Sequence, residues 1–379
     1  MTIKKTLQEK MKILYIITKS ELGGAQTHLL EVVRYMHRAG HSVLVVAGTG
    51  GWLTDELAAT GIKYMVLPSL VREINPVKDV KTIKLLCNIV GKEQPDIIHC
   101  HSSKAGIVGR VVGLFQHVPV VFTAHGWAFT SGVSVSKRIF YAAVEYLMLG
   151  ITNKVICVSE YDRNLAAKWF LHRYAKIVTV HNGIADKKCE IHACNAVASC
   201  LKLVSVARFS QQKNNMDLIR AVEQVNSVHA NGVQLNMVGD GPLLPECQAY
   251  VSAHHLGDVV HFLGSRTDVE SVLAQNDIFC LISNYEGLPI SIIEAMRAGM
   301  PVIASDVGGV NELIQDGLNG YLMPRGNLSE LAEKLEYMLQ HRENIESMGI
   351  AGRKIYEKEY TADRMNQKIL SVYDGILRR

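Results

Sequence analysis

Residues 12–33 read KILYIITKSELGGAQTHLLEVV. An isoleucine-rich run ends near Lys19, Gly23 and Gly24 turn the chain, and apolar residues then return at helical spacing. A strand delivered through glycine into a helix is the repeating unit of a doubly wound α/β sheet. The unit returns at HSVLVVAG (41–48), KYMVLPS (63–69), DIIHCHS (96–102), PVVFTAHG (119–126), KVICVSE (154–160) and KIVTVHNG (176–183). The rhythm lapses in DKKCEIHACNAVASC (186–200), which has neither strand nor helix period. It resumes at LKLVSVAR (201–208), VQLNMVGD (233–240), VVHFLGS (259–265), DIFCLIS (277–283), PVIASDVGG (301–309) and GYLMPRG (320–326), and NLSE (327–330) offers a cap for the next helix. Two Rossmann-like domains facing one another across a cleft are the expected architecture, with ligand loops at the strand ends.

The composition agrees with this reading. The chain has 379 residues, 48% hydrophobic and 20% charged, enough for two globular domains and too apolar for disorder. The longest charge-poor stretch, residues 111–136, is interrupted by His, Gly, Pro and Ser, so no membrane span is expected. MTIKKTLQEK at the start has no apolar core of a secretory signal, which points to the cytoplasm; residues 1–11 read as a leader, disordered or set by an upstream start, since Met11 directly precedes the first strand. Eight scattered cysteines suggest reduced thiols rather than a disulfide framework. Cys189, His192, Cys194 and Cys200 match no standard zinc spacing, and no metal site is expected.

Charge is divided unevenly. Residues 1–180 carry 22 Lys and Arg against 12 Asp and Glu, net +10, whereas residues 181–379 carry 18 against 24, net −6. A basic half suits an anionic surface or substrate, such as phospholipid headgroups or a pyrophosphate-linked lipid, or serves only solubility. TSGVSVSKRIFYAAVEYLMLG (130–150) mixes cations with Phe140, Tyr141, Tyr146 and Leu147 on one helix, which reads either as a membrane-surface segment or as a helix packed within its domain.

Several loops carry candidate chemistry. GTGGWL (48–53) lacks the last glycine of the dinucleotide fingerprint, and no phosphate-loop motif of the nucleotide hydrolases occurs. Gly23 and Gly24 open a helix whose free amides suit a phosphate. His125 ends an apolar strand, where α/β sheets present functional groups. Arg208 and Lys213 share one strand-end loop and could clamp a diphosphate, the arginine as a fork and the lysine as a point charge. In NYEGLPISIIEAMRAGMP (284–301), Pro289 suits the start of a short amphipathic helix, with Glu286 on the loop and Glu294 on the second turn. The helix N-terminus between them would take an anion and the two carboxylates would take hydroxyls, which is the layout of a sugar nucleotide.

ELGGAQTHL, HSSKAG, TAHGW, VARFSQQKN, VGDGP and EGLPISIIEAMRAGMPVIASDVGGVNELIQDGLNGYL, in this order, resemble the retaining GT-B glycosyltransferases of family four, in their bacterial surface-polysaccharide branch. The resemblance implies an acceptor-binding domain over 12–185, a nucleotide-sugar domain over 186–357, and a last helix over 358–379 crossing back to the first domain. It implies that Glu294 binds ribose hydroxyls, that Glu286 reaches the donor sugar, and that Arg208 and Lys213 neutralise the diphosphate beside Gly287 and the backbone of Leu288, Ile290 and Ser291. Gly23 and Gly24 would line the phosphate from the first domain, and His125 would steady the sugar. The implied reaction is retaining, metal-independent transfer of a hexose or N-acetylhexosamine from a UDP-linked donor to an undecaprenyl-pyrophosphate-linked saccharide in O-antigen, capsule or exopolysaccharide synthesis. The enzyme would sit at the anionic inner leaflet and bind no nucleic acid. No Asp-x-Asp metal motif occurs in the chain. A sugar-nucleotide epimerase, a glycogen-synthase-like enzyme and a non-catalytic nucleotide-sugar-binding protein are the alternatives.

Overall fold

The computed structural model describes residues 10–130, 133–187 and 200–378. Seven strands form the first sheet: β1 (Lys12–Ile17), β2 (Ser42–Ala47), β3 (Lys63–Val66), β4 (Ile97–His101), β5 (Val120–Ala124), β6 (Lys154–Cys157) and β7 (Ile177–Thr179). They are all parallel, in the order β3-β2-β1-β4-β5-β6-β7. Between them run α1 (Gly24–Arg38), α2 (Trp52–Ala59), α3 (Pro76–Glu93), α4 (Ser103–Gln116), α5 (Val135–Gly150) and α6 (Glu160–Trp169).

The second sheet holds β8 (Leu201–Val206), β9 (Val233–Val238), β10 (Val260–Gly264), β11 (Ile278–Leu281), β12 (Val302–Ser305) and β13 (Gly320–Met323). It is again parallel, in the order β10-β9-β8-β11-β12-β13. Its helices are α7 (Asn215–Val228), α8 (Leu244–Ala253), α9 (Val269–Leu273), α10 (Ile290–Arg297), α11 (Val310–Leu313), α12 (Leu328–Gln340) and α13 (Glu343–Glu359), and α14 (Ala362–Leu377) closes the chain.

Local chemistry explains the helix starts. Asn75 accepts from Lys78 N with Pro76 opening α3, Ser159 accepts from Asp162 N at α6, and Asn327 accepts from Glu330 N at α12, as the NLSE motif predicts. Central strands such as β4 and β5 are buried along their whole length, whereas edge strand β3 is exposed throughout. Strand order reverses between β1 and β4 and between β8 and β11, and α/β sheets open their ligand crevices at such points.

Helix α14 does not pack on the sheet that precedes it. Met365, Ile369 and Tyr373 are buried among β1, β2 and α1 of the first domain. Tyr373 Oη lies 2.5 Å from His99 Nδ1 and donates to Tyr15 Oη at 3.2 Å, so the last helix is bolted to the middle of the first sheet. A parallel bridge from Ile184 to Thr361 lays the two crossing segments side by side.

Candidate active site

The loops after β1, β5 and β6 face those after β8, β11 and β12. Gly287, on the β11 loop, approaches the β5 loop so closely that a Cβ there would lie 2.7 Å from the carbonyl oxygen of His125. Asn182 Nδ2 donates to Leu288 O at 2.7 Å. A Cβ on Gly24 would sit 4.0 Å from Ile290 Cδ1, so the start of α1 faces the start of α10. Two helix N-termini of opposite domains therefore converge on one space, and the positive ends of their dipoles favour an anion there.

Lys213 and Glu286 form the charged centre. Lys213 Nζ lies 2.5 Å from Glu286 Oε1, with side chains 17% and 6% exposed. The backbone around Glu286 is clamped: Gln212 Nε2 donates to Tyr285 O at 3.0 Å, and Gly308, at φ 61°, lies so close that a Cβ would fall 1.9 Å from Glu286 O. Gly308 must be glycine on both counts. Arg208 is exposed on the β8 loop. Across the cleft, the Glu21 carboxyl is held below its ordinary value first by a hydrogen bond from Lys19 and further by the charges of Lys19, Arg208 and Arg72.

Helix α10 is the amphipathic helix expected from the sequence, with Ser291 and Glu294 half-buried on its polar side. Ile290, Ile292, Ile293, Ala295, Met296 and Arg297 are all buried, because the helix is enclosed between β11, β12 and α13. Glu294 consequently loses hydration, and burial pushes its carboxyl up to about 7 despite the nearby Arg297 charge. Pro289 sits at the N-cap, one residue before the helix. Leu288, Ile290 and Ser291 thus stand at the amide-rich end, while Glu294 lies a turn deeper. Gly23 is fully extended at φ 179°, a conformation any residue adopts, so its backbone does not itself require glycine.

On the opposite wall His125 is joined by residues that sequence reasoning did not single out. His125 Nε2 lies 3.1 Å from His101 Nδ1, and its ring meets that of His28 edge-on with centroids 4.9 Å apart. His28 Nδ1 lies 2.9 Å from Asn182 Oδ1, the same amide that reaches Leu288. Burial pushes the imidazoles of His101 and His125 well below 6.5 and that of His28 to about 4, so all three are neutral. A sequence signal existed: HCH in β4 places His99 and His101 on one face of a strand. Glu312 was also missed. From the second domain its carboxylate accepts from Glu160 N at 2.9 Å and Tyr161 N at 2.8 Å, capping α6 of the first domain, and meets His181 Nε2 at 2.7 Å.

Cys189, His192 and Cys194 lie outside the described residues; Cys200 is a free thiol. No helix among the described residues is long and apolar enough to cross a membrane.

Comparisons with known proteins cover nearly the whole chain. Residues 22–188 match the model of Glycosyltransferase Family 4, and residues 198–355 match that of Glycosyl transferases group 1. An Escherichia coli UDP-Gal:alpha-D-GlcNAc-diphosphoundecaprenol alpha-1,3-galactosyltransferase is 29% identical over 344 residues, covering 87% of this chain and 88% of the relative. The E. coli O-antigen biosynthesis glycosyltransferase WbnH is 28% identical over 354 residues, covering 92% and 96%. Among solved structures, HepE of Anabaena in complex with UDP superposes with a TM-score of 0.80 at 20% identity, covering 96% of this chain and all of that one. The GT-B architecture, two parallel-sheet Rossmann-like domains, is shared.

Proposed function

Because the chain belongs to the GT-B glycosyltransferases, with a family 4 domain followed by a group 1 domain, we propose that it moves a hexosyl or N-acetylhexosaminyl group from a UDP-linked donor to a lipid-pyrophosphate-linked saccharide, with retention and without a metal ion. The observation that carries the reading is the Lys213–Glu286 pair, set between the N-terminus of α10 and the histidine wall at His125. The names of the E. coli relatives, a diphosphoundecaprenol-linked galactosyltransferase and an O-antigen enzyme, favour this donor and acceptor class in surface-polysaccharide synthesis.

In this reading the UDP diphosphate lies at the N-termini of α10 and α1, with Arg208 and Lys213 beside it. Ionised Glu294 takes the ribose hydroxyls and Glu286 takes hydroxyls of the sugar. As the bond between the anomeric carbon and the phosphate oxygen breaks, negative charge gathers on the diphosphate, so Lys213, Arg208 and the helix amides hold the transition state more tightly than the ground state. The acceptor hydroxyl attacks the same face the diphosphate leaves, and its proton passes to the departing phosphate oxygen. UDP and the extended lipid-linked saccharide are the products, and no protein base is needed. The positive charge that a divalent ion would bring is supplied by Arg208, Lys213 and the α10 dipole.

The acceptor's lipid places the enzyme at an anionic membrane face. Val135, Ile139, Phe140 and Leu147 of α5 are exposed beside Lys137 and Arg138, a combination suited to the headgroup boundary. The test is transfer from UDP-, GDP-, dTDP- and CMP-sugars to a polyprenyl-diphosphate saccharide, read by mass spectrometry, with vesicles of anionic lipid in a parallel sedimentation assay. One UDP-sugar should be consumed in the presence of EDTA and the protein should sediment with the vesicles at low salt. Transfer from none of the donors, or strict dependence on added manganese, would defeat the reading.

A further inference from the structure

The histidine wall contains more ligand capacity than sugar binding uses. His28, His101 and His125 each offer one ring nitrogen within 4.8 Å of the other two. His101 Nδ1 and His125 Nε2 are 3.1 Å apart, close to the roughly 3.3 Å that separates two ligands of a tetrahedral ion with bonds of about 2.0–2.1 Å. His28 is prepared in a different way. Asn182 spends its Nδ2 donor on Leu288 O, which turns its Oδ1 toward His28 Nδ1 and makes that nitrogen the protonated one. His28 Nε2 is left as a bare lone pair, buried and without a hydrogen-bond partner among the described residues. A histidine whose far nitrogen is fixed by an amide oxygen while the near one is bare has the orientation that outer-shell partners impose on metal-binding imidazoles.

We propose that His28, His101 and His125 form a binding site for one borderline transition-metal ion of the Zn2+ type, reached from the cleft through half-buried His125. Neutral imidazole is the ligand such ions prefer, and three of them leave a fourth position for water or a substrate oxygen. The proton now shared between His101 and His125 shifts to the far nitrogen of its own ring, so the site gains only the charge of the ion. Since His125 belongs to the donor wall, a bound ion blocks sugar transfer; this consequence rests on the functional reading above, whereas the binding itself does not.

The test uses the full-length, tag-free chain stripped of metal and titrated with zinc chloride by calorimetry, with crystals soaked in zinc and measured at the zinc absorption edge. One ion per chain is expected, with anomalous density among the three rings. His101→Gln should weaken binding more than 100-fold, and Asn182→Ala, which touches no ion, roughly 10–100-fold. Substituting Cys189 and Cys194 by serine should change nothing. Loss of zinc binding in the cysteine variant, or an anomalous peak elsewhere with none at the rings, overturns the site, and the diffraction result holds even if a histidine variant fails to fold. Zinc seated at the rings without slowing a measurable transfer reaction overturns the inhibitory role.

Discussion

The Lys213–Glu286 pair permits a prediction in which stability and catalysis part company. In the proposed reaction both groups hold the donor, yet without it each neutralises the other, with only 17% and 6% of the side chains exposed. Removing one partner of such a pair strands a charge and costs about 3–5 kcal/mol, and the partial exposure of Lys213 sets the expectation near the low end, about 3 kcal/mol. For a domain of this size each kcal/mol shifts Tm by roughly 2–4 °C, so Lys213→Met should lower Tm by about 6–12 °C. Glu286→Gln should cost less, because the freed ammonium can move toward solvent along its flexible stem. The double variant leaves no stranded charge and should recover most of the lost stability, a coupling of at least ~1.5 kcal/mol in a double-mutant cycle. Transfer activity should not recover, because neither the diphosphate nor the sugar regains its partner. Differential scanning calorimetry of the four proteins and a transfer assay on the same samples decide the matter. Additive Tm losses would refute the coupling, and a double variant that regained turnover would refute the assignment of either residue to the donor.

Other outcomes follow from the same geometry. Burial pushes Glu294 up to about 7, so binding through its ionised form should tighten about tenfold for a UDP-sugar between pH 6 and pH 8 in calorimetric titrations, and Glu294→Gln should flatten that slope. Gly287→Ala would bring a Cβ to 2.7 Å from His125 O, forcing the β5 and β11 loops apart; transfer should fall more than tenfold and Tm should drop as well, as kinetics and calorimetry together would register. Burial tends to raise the Glu312 carboxyl, but hydrogen bonds from His181 and the α6 amides outweigh it and hold the group below 4.5. Its contribution to stability is therefore present above the unfolded value near 4.5 and lost as pH falls through the lower folded one, so the Tm gap between the parent and Glu312→Gln should close on acidification.

Much of the fold was legible because it rests on local chemistry. The β-branched runs, the Gly23-Gly24 turn and the asparagine cap of α12 declare their structure within a few residues. Glu286 was likewise visible as a charge beside glycine and proline after a strand, Lys213 as a cation on a strand-end loop, and Glu294 as an acid on the second turn of the following helix. What they would touch was not, since Lys213 and Glu286 lie 73 residues apart and meet only when β8 and β11 become neighbours. The histidine wall was hidden for the same reason: His28 comes from α1, His101 from β4, His125 from the β5 loop, and Asn182 from beyond β7. Glu312 caps a helix of the other domain, a role no sequence window contains. The amphipathic period of α10 was legible, but its enclosure by β11, β12 and α13, which buries Arg297 as well, was not.

In the proposed reaction this cleft transfers a sugar with retention, using protein cations where other enzymes use a metal. The most direct measurement is the anomeric configuration of the product, determined by NMR after transfer from an α-linked UDP-sugar to a polyprenyl-diphosphate saccharide in EDTA. An α-linked product from the parent protein, and none from Arg208→Ala, is the predicted result. A β-linked product, or transfer undiminished by the loss of Arg208, would contradict it.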